Sequence, residues 1–117
     1  DEIRRARGED PTLVAAPVVP AELVDALKFG DAPEVAKHLH NDLQEAAVAL
    51  MPELSITMHA GLAAGALAAM VSGSGPTVAM LAESEAAAAS LANHLAFEGY
   101  IAIPTFGPAK GTLMERN

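Results

Sequence analysis

Residues 65–81, GALAAMVSGSGPTVAML, join two short apolar runs through the polar loop SGSGP at residues 72–76. Each run is too short for a typical helix and is bounded by chain breakers, which favours two β-strands. The loop between them has two interpretations. It is a hairpin turn, or it is a glycine loop whose backbone allows a phosphate or another loop to approach closely. The rest of the chain has to distinguish them.

Helices are predicted on the amino-terminal side of this hairpin. Residues 20–30, PAELVDALKFG, begin at a proline suited to a first helical turn and end at a glycine suited to a C-terminal cap. Asp31 is predicted to cap the next helix, with Glu34 three residues later as the second half of a capping box.

Residues 41–51, NDLQEAAVALM, predict a further helix that Asn41 or Asp42 caps. Pro52 interrupts the chain and starts another helix, which is expected to end at Gly65. The apolar stripe predicted for the helix after Asp42 consists of Leu43, Ala46, Ala47 and Leu50.

The chain after the hairpin predicts a helix and then more strand. Residues 83–99, ESEAAAASLANHLAFEG, have acidic residues at the start and a glycine at the end, as a helix requires. Residues 100–107, YIAIPTFG, predict a third strand, and residues 111–115, GTLME, a fourth. The order predicts an α+β fold: a small, mostly antiparallel sheet with helices packed on one face.

The composition excludes several classes of function. The chain has 117 residues, 51% hydrophobic and 3% aromatic, with a net charge of -8 and no cysteine. One small domain with an aliphatic core is therefore predicted. Few aromatic rings and an acidic balance argue against a nucleic-acid surface. No apolar run approaches the roughly 20 residues of a membrane span, and no signal peptide is visible, so no membrane partner and a cytoplasmic location are expected.

The four histidines do not form a metal-binding pattern. His38 and His40 would point about 200° apart on a helix. His59 has no histidine or carboxylate three or four residues further along the chain. His94 has only Glu98 at that spacing, and one such pair is too few ligands for a metal site. We therefore predict no metal site in this sequence.

The serines of the loop do not form a nucleophile motif. No glycine lies two residues before Ser72, so SGSG is not a G-x-S-x-G elbow. The loop also lacks the lysine of a phosphate-binding P-loop. Taken alone, the loop composition favours a turn without a ligand.

Two longer segments carry a resemblance. HNDLQEAAVALMPEL (residues 40–54), followed by AGALAAMVSGSGPTVAML (residues 64–81), resembles the C-terminal half of the GHMP superfamily of small-molecule kinases. Within it, the two segments are most similar to the branch that phosphorylates diphosphocytidyl-methylerythritol in non-mevalonate isoprenoid synthesis. The resemblance covers essentially the whole chain.

This resemblance implies a ferredoxin-like domain and an ATP- and Mg-dependent transfer of the γ-phosphate to the 2-hydroxyl of the substrate. It also implies that the glycine loop is the superfamily's third motif, which lies beside the nucleotide phosphate loop of the other domain. Asn41 and Asp42 match a pair at a helix start, with a structural role first and a site role second. The third-motif loop comprises Ser72, Gly73, Ser74, Gly75, Pro76 and Thr77.

The departures from the superfamily concern its N-terminal half. The first motif, the long Gly/Ser-rich phosphate loop, and the catalytic Asp and Lys have no counterpart in this sequence, so we predict no catalytic residue here. The start, DEIRRARGED, lacks a methionine, and residues 1–7 are typical of a helix end. We therefore expect residues 1–19 to be a connector from a missing N-terminal kinase domain and residues 20–117 to be the C-terminal domain. By themselves, the 117 residues are expected to bind no cofactor, to be inactive and to self-associate through an exposed apolar surface.

Two other functions remain open at this stage. Another GHMP kinase, of the homoserine or mevalonate type, would use the same third motif on a different small molecule. A free-standing ferredoxin-like binding or regulatory module would use the loop for a ligand or for oligomerisation.

Overall fold

A computed structural model of the protein describes Gly8 and residues 16–115. The elements, in chain order, are α1 (Ala21–Phe29), α2 (Ala32–His38), α3 (Gln44–Leu50), α4 (Glu53–Ala63), β1 (Ala68–Val71), β2 (Val78–Leu81) and α5 (Glu85–Phe97). The predicted α+β class and the hairpin are confirmed. The helix end predicted at residues 1–7 and most of the predicted connector over residues 1–19 lie outside the described residues.

The start of α2 confirms half of the predicted capping box. The Asp31 side chain accepts a hydrogen bond from the Glu34 N–H at 3.1 Å. The Asp31 N–H, however, donates to the Ala26 carbonyl, and Glu34 instead accepts from Lys37 at 2.7 Å and bonds to His38 at 3.3 Å. The hydrogen bond from Lys37 is the main reason that the pKa of Glu34 lies below its ordinary value, and Glu34 in turn raises the pKa of Lys37.

Helices α3 and α4 are separated by a sharp break at Pro52. The two helix axes are bent by 117°, and Pro52 precedes the first residue of α4, where its fixed φ suits a helix start. In residues 16–115 no single helix is long and apolar enough to cross a membrane; only this bent pair has the combined length and composition.

The hairpin is antiparallel, with Ala68 opposite Leu81 and Val71 opposite Val78. Helix α4 packs against both strands. At Gly61 of α4 an added Cβ would collide with the Met80 side chain, so this helix approaches β2 at a position without a side chain.

The described core consists of two apolar clusters that meet at the sheet. The first contains the buried residues Ala47, Leu54 and Val71, with Val48, Met58 and Val78 packed against them. The second contains Ala66, Leu91 and Leu95, with Ala60, Ala64, Met80, Tyr100 and Ala102 packed against them. Both are aliphatic apart from Tyr100, as the composition requires.

The third and fourth strands predicted from sequence are wrong: in residues 16–115 the sheet has two strands. Residues 100–103 still alternate, because Tyr100 and Ala102 pack against the second cluster whereas Ile101 and Ile103 are 98% and 83% exposed. An alternating pattern directs side chains to two faces, but a strand also needs a neighbour for its backbone hydrogen bonds. No such neighbour lies beside this segment in the described part.

The N-terminal cap of α5 gives a testable prediction. The Ser84 side chain accepts from the Ala87 N–H at 3.1 Å. Replacing Ser84 by Ala leaves that donor without its partner, so the free energy of unfolding should fall by about 1 kcal/mol. Urea denaturation followed by circular dichroism measures it. Ser90→Ala in the middle of α5 is the control, and an equal loss in both variants would contradict the capping role.

Candidate functional site

The glycine loop, residues 72–77, connects β1 to β2 and is closed by its own backbone. The Ser72 N–H donates to the Thr77 carbonyl at 2.8 Å, and the Gly75 N–H donates to the Ser72 carbonyl at 3.0 Å. The peptide bond between Gly75 and Pro76 is cis. The hairpin-turn interpretation of this stretch is therefore correct as a description of its backbone.

The two glycines of the loop have different surroundings. Gly73 has φ +57° and Gly75 has φ +77°, a region that side-chain-bearing residues rarely adopt. A Cβ at Gly73 would meet nothing within 4 Å, whereas one at Gly75 would lie 3.3 Å from Val71 Cγ1 and 3.5 Å from Leu54 Cδ1. Gly73 therefore faces open space at the tip, and Gly75 lies against the first core cluster.

The side chain of Asn41 hydrogen-bonds to the glycine loop and to the end of β1. Its Nδ2 donates to the Val71 carbonyl at 2.7 Å and to the Gly73 carbonyl at 2.8 Å. Its Oδ1 accepts from the Leu43 N–H at 3.1 Å. One amide therefore ties the end of β1 and the tip of the loop to the segment that leads into α3.

Gln44 completes this arrangement. Its Oε1 accepts from the Val71 N–H at 3.1 Å. In the register of the hairpin, Val71 directs its N–H and C=O away from β2. Asn41 and Gln44 together satisfy both groups, as a neighbouring strand would. We call these two side chains the amide clamp.

Gln44 is not among the residues that the sequence predicts for the site. The available signal was a second amide three residues after Asn41, at the start of a helix, within the HNDLQ segment. Spacing alone does not reveal the partner, because Val71 lies 27 residues further along the chain.

Asp42 and Asn41, although adjacent in the chain, have different hydrogen-bond partners. The carboxylate of Asp42 pairs with His40 Nε2 at 2.7 Å, and both side chains are exposed. Leu43 occupies the residue before α3, without a side-chain cap, so the predicted cap by Asn41 or Asp42 is wrong. Asn41 instead forms its local bond to the Leu43 N–H. The suggested structural role is thus visible for Asn41, and Asp42 makes no contact of this kind with the loop.

The loop presents hydrogen-bonding groups without a charge of its own. Residues 72–77 contain no lysine, arginine, aspartate or glutamate. Within the described chain, the N–H groups of Gly73 and Ser74 form no hydrogen bond, nor do the hydroxyls of Ser72 and Thr77. All four residues are exposed. The arrangement suits contact with an anionic or polar group.

Comparison with known proteins identifies the family. The family model described as "GHMP kinases C terminal" matches residues 23–101, which include the amide clamp and the glycine loop. This chain belongs to the GHMP kinase C-terminal family. The match confirms the resemblance that the two sequence segments carry.

Curated relatives of this GHMP kinase C-terminal chain are called 4-diphosphocytidyl-2-C-methyl-D-erythritol kinase. The protein from Arthrobacter sp. (strain FB24) is 43% identical over 111 residues, 95% of this chain and 34% of the relative. Those from Nocardia farcinica and Streptomyces coelicolor are 50% and 53% identical, over 81% and 71% of this chain and 30% and 28% of the relatives. The chain spans about a third of the length of these relatives.

Proposed function

We propose that this chain is the C-terminal part of an ATP-dependent kinase for 4-diphosphocytidyl-2-C-methyl-D-erythritol. The reaction transfers the γ-phosphate of ATP to the 2-hydroxyl of that substrate, in non-mevalonate isoprenoid precursor synthesis in the cytoplasm. The names of relatives up to 53% identical support the substrate. The observation that carries a site role is the glycine loop, held by Asn41 with the Gly73 and Ser74 N–H groups exposed.

The role of the loop is to position the reacting groups, not to transfer a proton. Phosphoryl transfer depends on holding the phosphates and the attacking hydroxyl in line. The absence of a side chain at Gly73, which faces open space, allows a phosphate-binding loop to approach the backbone closely. The amide clamp keeps this backbone in one conformation, so that its exposed N–H groups are already oriented when the other loop arrives.

We further propose that residues 1–19 connect to an N-terminal kinase domain and that residues 20–117 form the C-terminal domain. In residues 16–115, no three His, Asp or Glu side chains form a group that could hold a metal ion. The groups that hold ATP and Mg²⁺, with the catalytic Asp and Lys, belong in this proposal to the N-terminal domain.

An assay of ADP release tests two parts of the proposal together: the identity of the substrate and the need for the N-terminal domain in catalysis. The complete protein, meaning these 117 residues with the further sequence that the relatives have, should phosphorylate 4-diphosphocytidyl-2-C-methyl-D-erythritol in preference to homoserine or mevalonate. The 117 residues alone should show no turnover. Turnover by the 117 residues, or a preference for either other substrate, would contradict the proposal. A natural gene beginning near Asp1, with a small ligand bound by the isolated chain, would favour a regulatory module instead.

A further inference from the structure

Gly75 is half-buried, whereas the other five residues of the glycine loop are exposed. A Cβ built at Gly75 would lie 3.3 Å from Val71 Cγ1, 3.5 Å from Leu54 Cδ1 and 3.9 Å from Ala47 Cβ. These three side chains are the buried members of the first core cluster. The loop is therefore in contact with the core at Gly75, on the side away from its exposed tip.

Leu54 differs from the other two side chains beneath Gly75. Val71 is the last residue of β1 and leads directly into the loop, so it belongs to the hairpin itself. Ala47 has only a methyl group and lies further away. Leu54 is in the first turn of α4, is 5% exposed and supplies the nearest atom from outside the hairpin. It is thus the side chain through which the helices can fix the position of Gly75.

The position of Leu54 is set by the chain around Pro52. The axes of α3 and α4 are bent by 117° at this break, and α4 begins directly after the proline. The Leu54 N–H donates to the Met51 carbonyl at 3.1 Å. The backbone of Leu54 is therefore held by groups outside the loop, and its side chain can support the loop from a fixed place.

The two halves of the loop are held by different forces. The Gly73 carbonyl accepts from the side chain of Asn41. Within the described chain, no side chain hydrogen-bonds to residues 74–76, and the Gly75 N–H bonds inside the loop to the Ser72 carbonyl. The apolar contact at Gly75 is thus what ties this half of the loop to the helices. Because glycine has the widest backbone freedom, the loop can shift when that contact is lost.

We propose that Leu54 is a positioning residue for the glycine loop. Its side chain supports Gly75 and thereby fixes the direction of the Gly73 and Ser74 N–H groups, which face the approaching loop. Core packing is dense, so a shorter side chain leaves a gap that the neighbours close only in part. The effect on turnover rests on the proposed function, whereas the support of the loop by Leu54 does not depend on the substrate.

Turnover by the complete protein gives the first test. Leu54→Val withdraws the δ-carbons from Gly75, so kcat per folded molecule should fall about 10-fold, because small misplacements near reacting groups are costly. KM should change little, since positioning acts mainly in the transition state. Leu54→Met refills the space and should restore kcat. Met58→Val is the matched control: it is an equal truncation in the same helix and cluster, but Met58 is not among the three side chains nearest to Gly75.

Amide NMR of the complete protein, without ATP or substrate, gives the second test. The Gly73 and Ser74 N–H signals should shift in Leu54→Val, return toward their original positions in Leu54→Met and stay in place in Met58→Val. Leu54→Ile, which keeps the volume and moves the branch point, should also shift them and replaces the valine variant if that one does not fold.

Two outcomes would overturn the proposal. Unchanged Gly73 and Ser74 signals in a folded Leu54→Val protein would show that the loop does not depend on this support. Equal losses of kcat in Leu54→Val and Met58→Val would indicate a general effect of core packing. A complete protein that does not phosphorylate the expected substrate would contradict the proposed function instead, and the NMR comparison would still test the role of Leu54.

Discussion

Gly75→Val should lower the free energy of unfolding of the 117-residue chain by about 3 kcal/mol or more. The residue has φ +77°, where a β-branched side chain is strained. Its Cβ would lie 3.3 Å from Cγ1 of Val71, which is 0% exposed and cannot move into solvent. Backbone strain and overpacking each cost about 1–3 kcal/mol in such positions. Urea denaturation of both proteins measures the loss.

Gly73→Val is the matched control for this substitution. Gly73 shares the positive φ, but its Cβ would meet nothing within 4 Å, so only the strain of about 1–3 kcal/mol applies. Equal losses in the two variants would show that the core contact of Gly75 contributes nothing.

The same pair separates folding from activity in the complete protein. Gly73→Val places a side chain at the exposed tip of the loop, where another loop is proposed to approach. Turnover should fall about 100-fold even in the fraction that is folded, because positioning is lost. Normal turnover by a folded Gly73→Val enzyme would mean that the loop has no role at the active site.

Asn41→Asp should cost about 3 kcal/mol of unfolding free energy, although it changes a single atom of the side chain. The Nδ2 group that donates to the carbonyls of Val71 and Gly73 is replaced by an oxygen. Two carbonyls lose their donor, one of them part-buried, and an anionic oxygen then faces them. Chemical denaturation at pH 7 measures the effect.

The pH dependence of Asn41→Asp tests this cause. Facing carbonyl oxygens favour the neutral carboxyl, so the pKa of the introduced group should be higher in the folded than in the unfolded protein. The stability deficit is then largest above the folded pKa and shrinks as the pH falls through it, because the protonated group donates again. A deficit independent of pH would contradict the donor role.

Two neighbouring substitutions complete the comparison. Asp42→Asn alters only an exposed pair with His40 and should change stability little. Gln44→Glu keeps an oxygen that accepts from the Val71 N–H, so its loss should be much smaller than that of Asn41→Asp. A loss of equal size in all three variants would contradict the distinct donor and acceptor roles of the amide clamp.

Local chemistry explains what could be predicted. Gly30 ends α1 with φ +67°, and Asp31 caps α2, as the residue types at those positions indicate. Such caps depend on groups within four residues of each other, so the sequence contains all of their partners. The same holds for the hairpin, where breakers and two short apolar runs adjoin.

Burial could not be predicted in the same way. The apolar stripe predicted for α3 contains Ala47, which is buried in the first core cluster. It also contains Leu43 and Leu50, which are 51% and 83% exposed. A hydrophobic pattern indicates which face of a helix is favourable to bury. Whether each side chain on that face is buried depends on the elements that the whole fold packs against it.

The sequence by itself determined the α+β class, the end of α1 at Gly30, the start of α2 at Asp31, the two-strand hairpin and, through HNDLQ and SGSGPTV, the GHMP kinase C-terminal family. Only the tertiary structure showed that the side chains of Asn41 and Gln44 hydrogen-bond to the end of β1. It also showed that residues 100–107 do not pair with β2. Hydrogen bonds across 27 to 32 residues depend on how the chain folds back on itself. A strand, likewise, requires a neighbour, and its own side-chain alternation does not supply one.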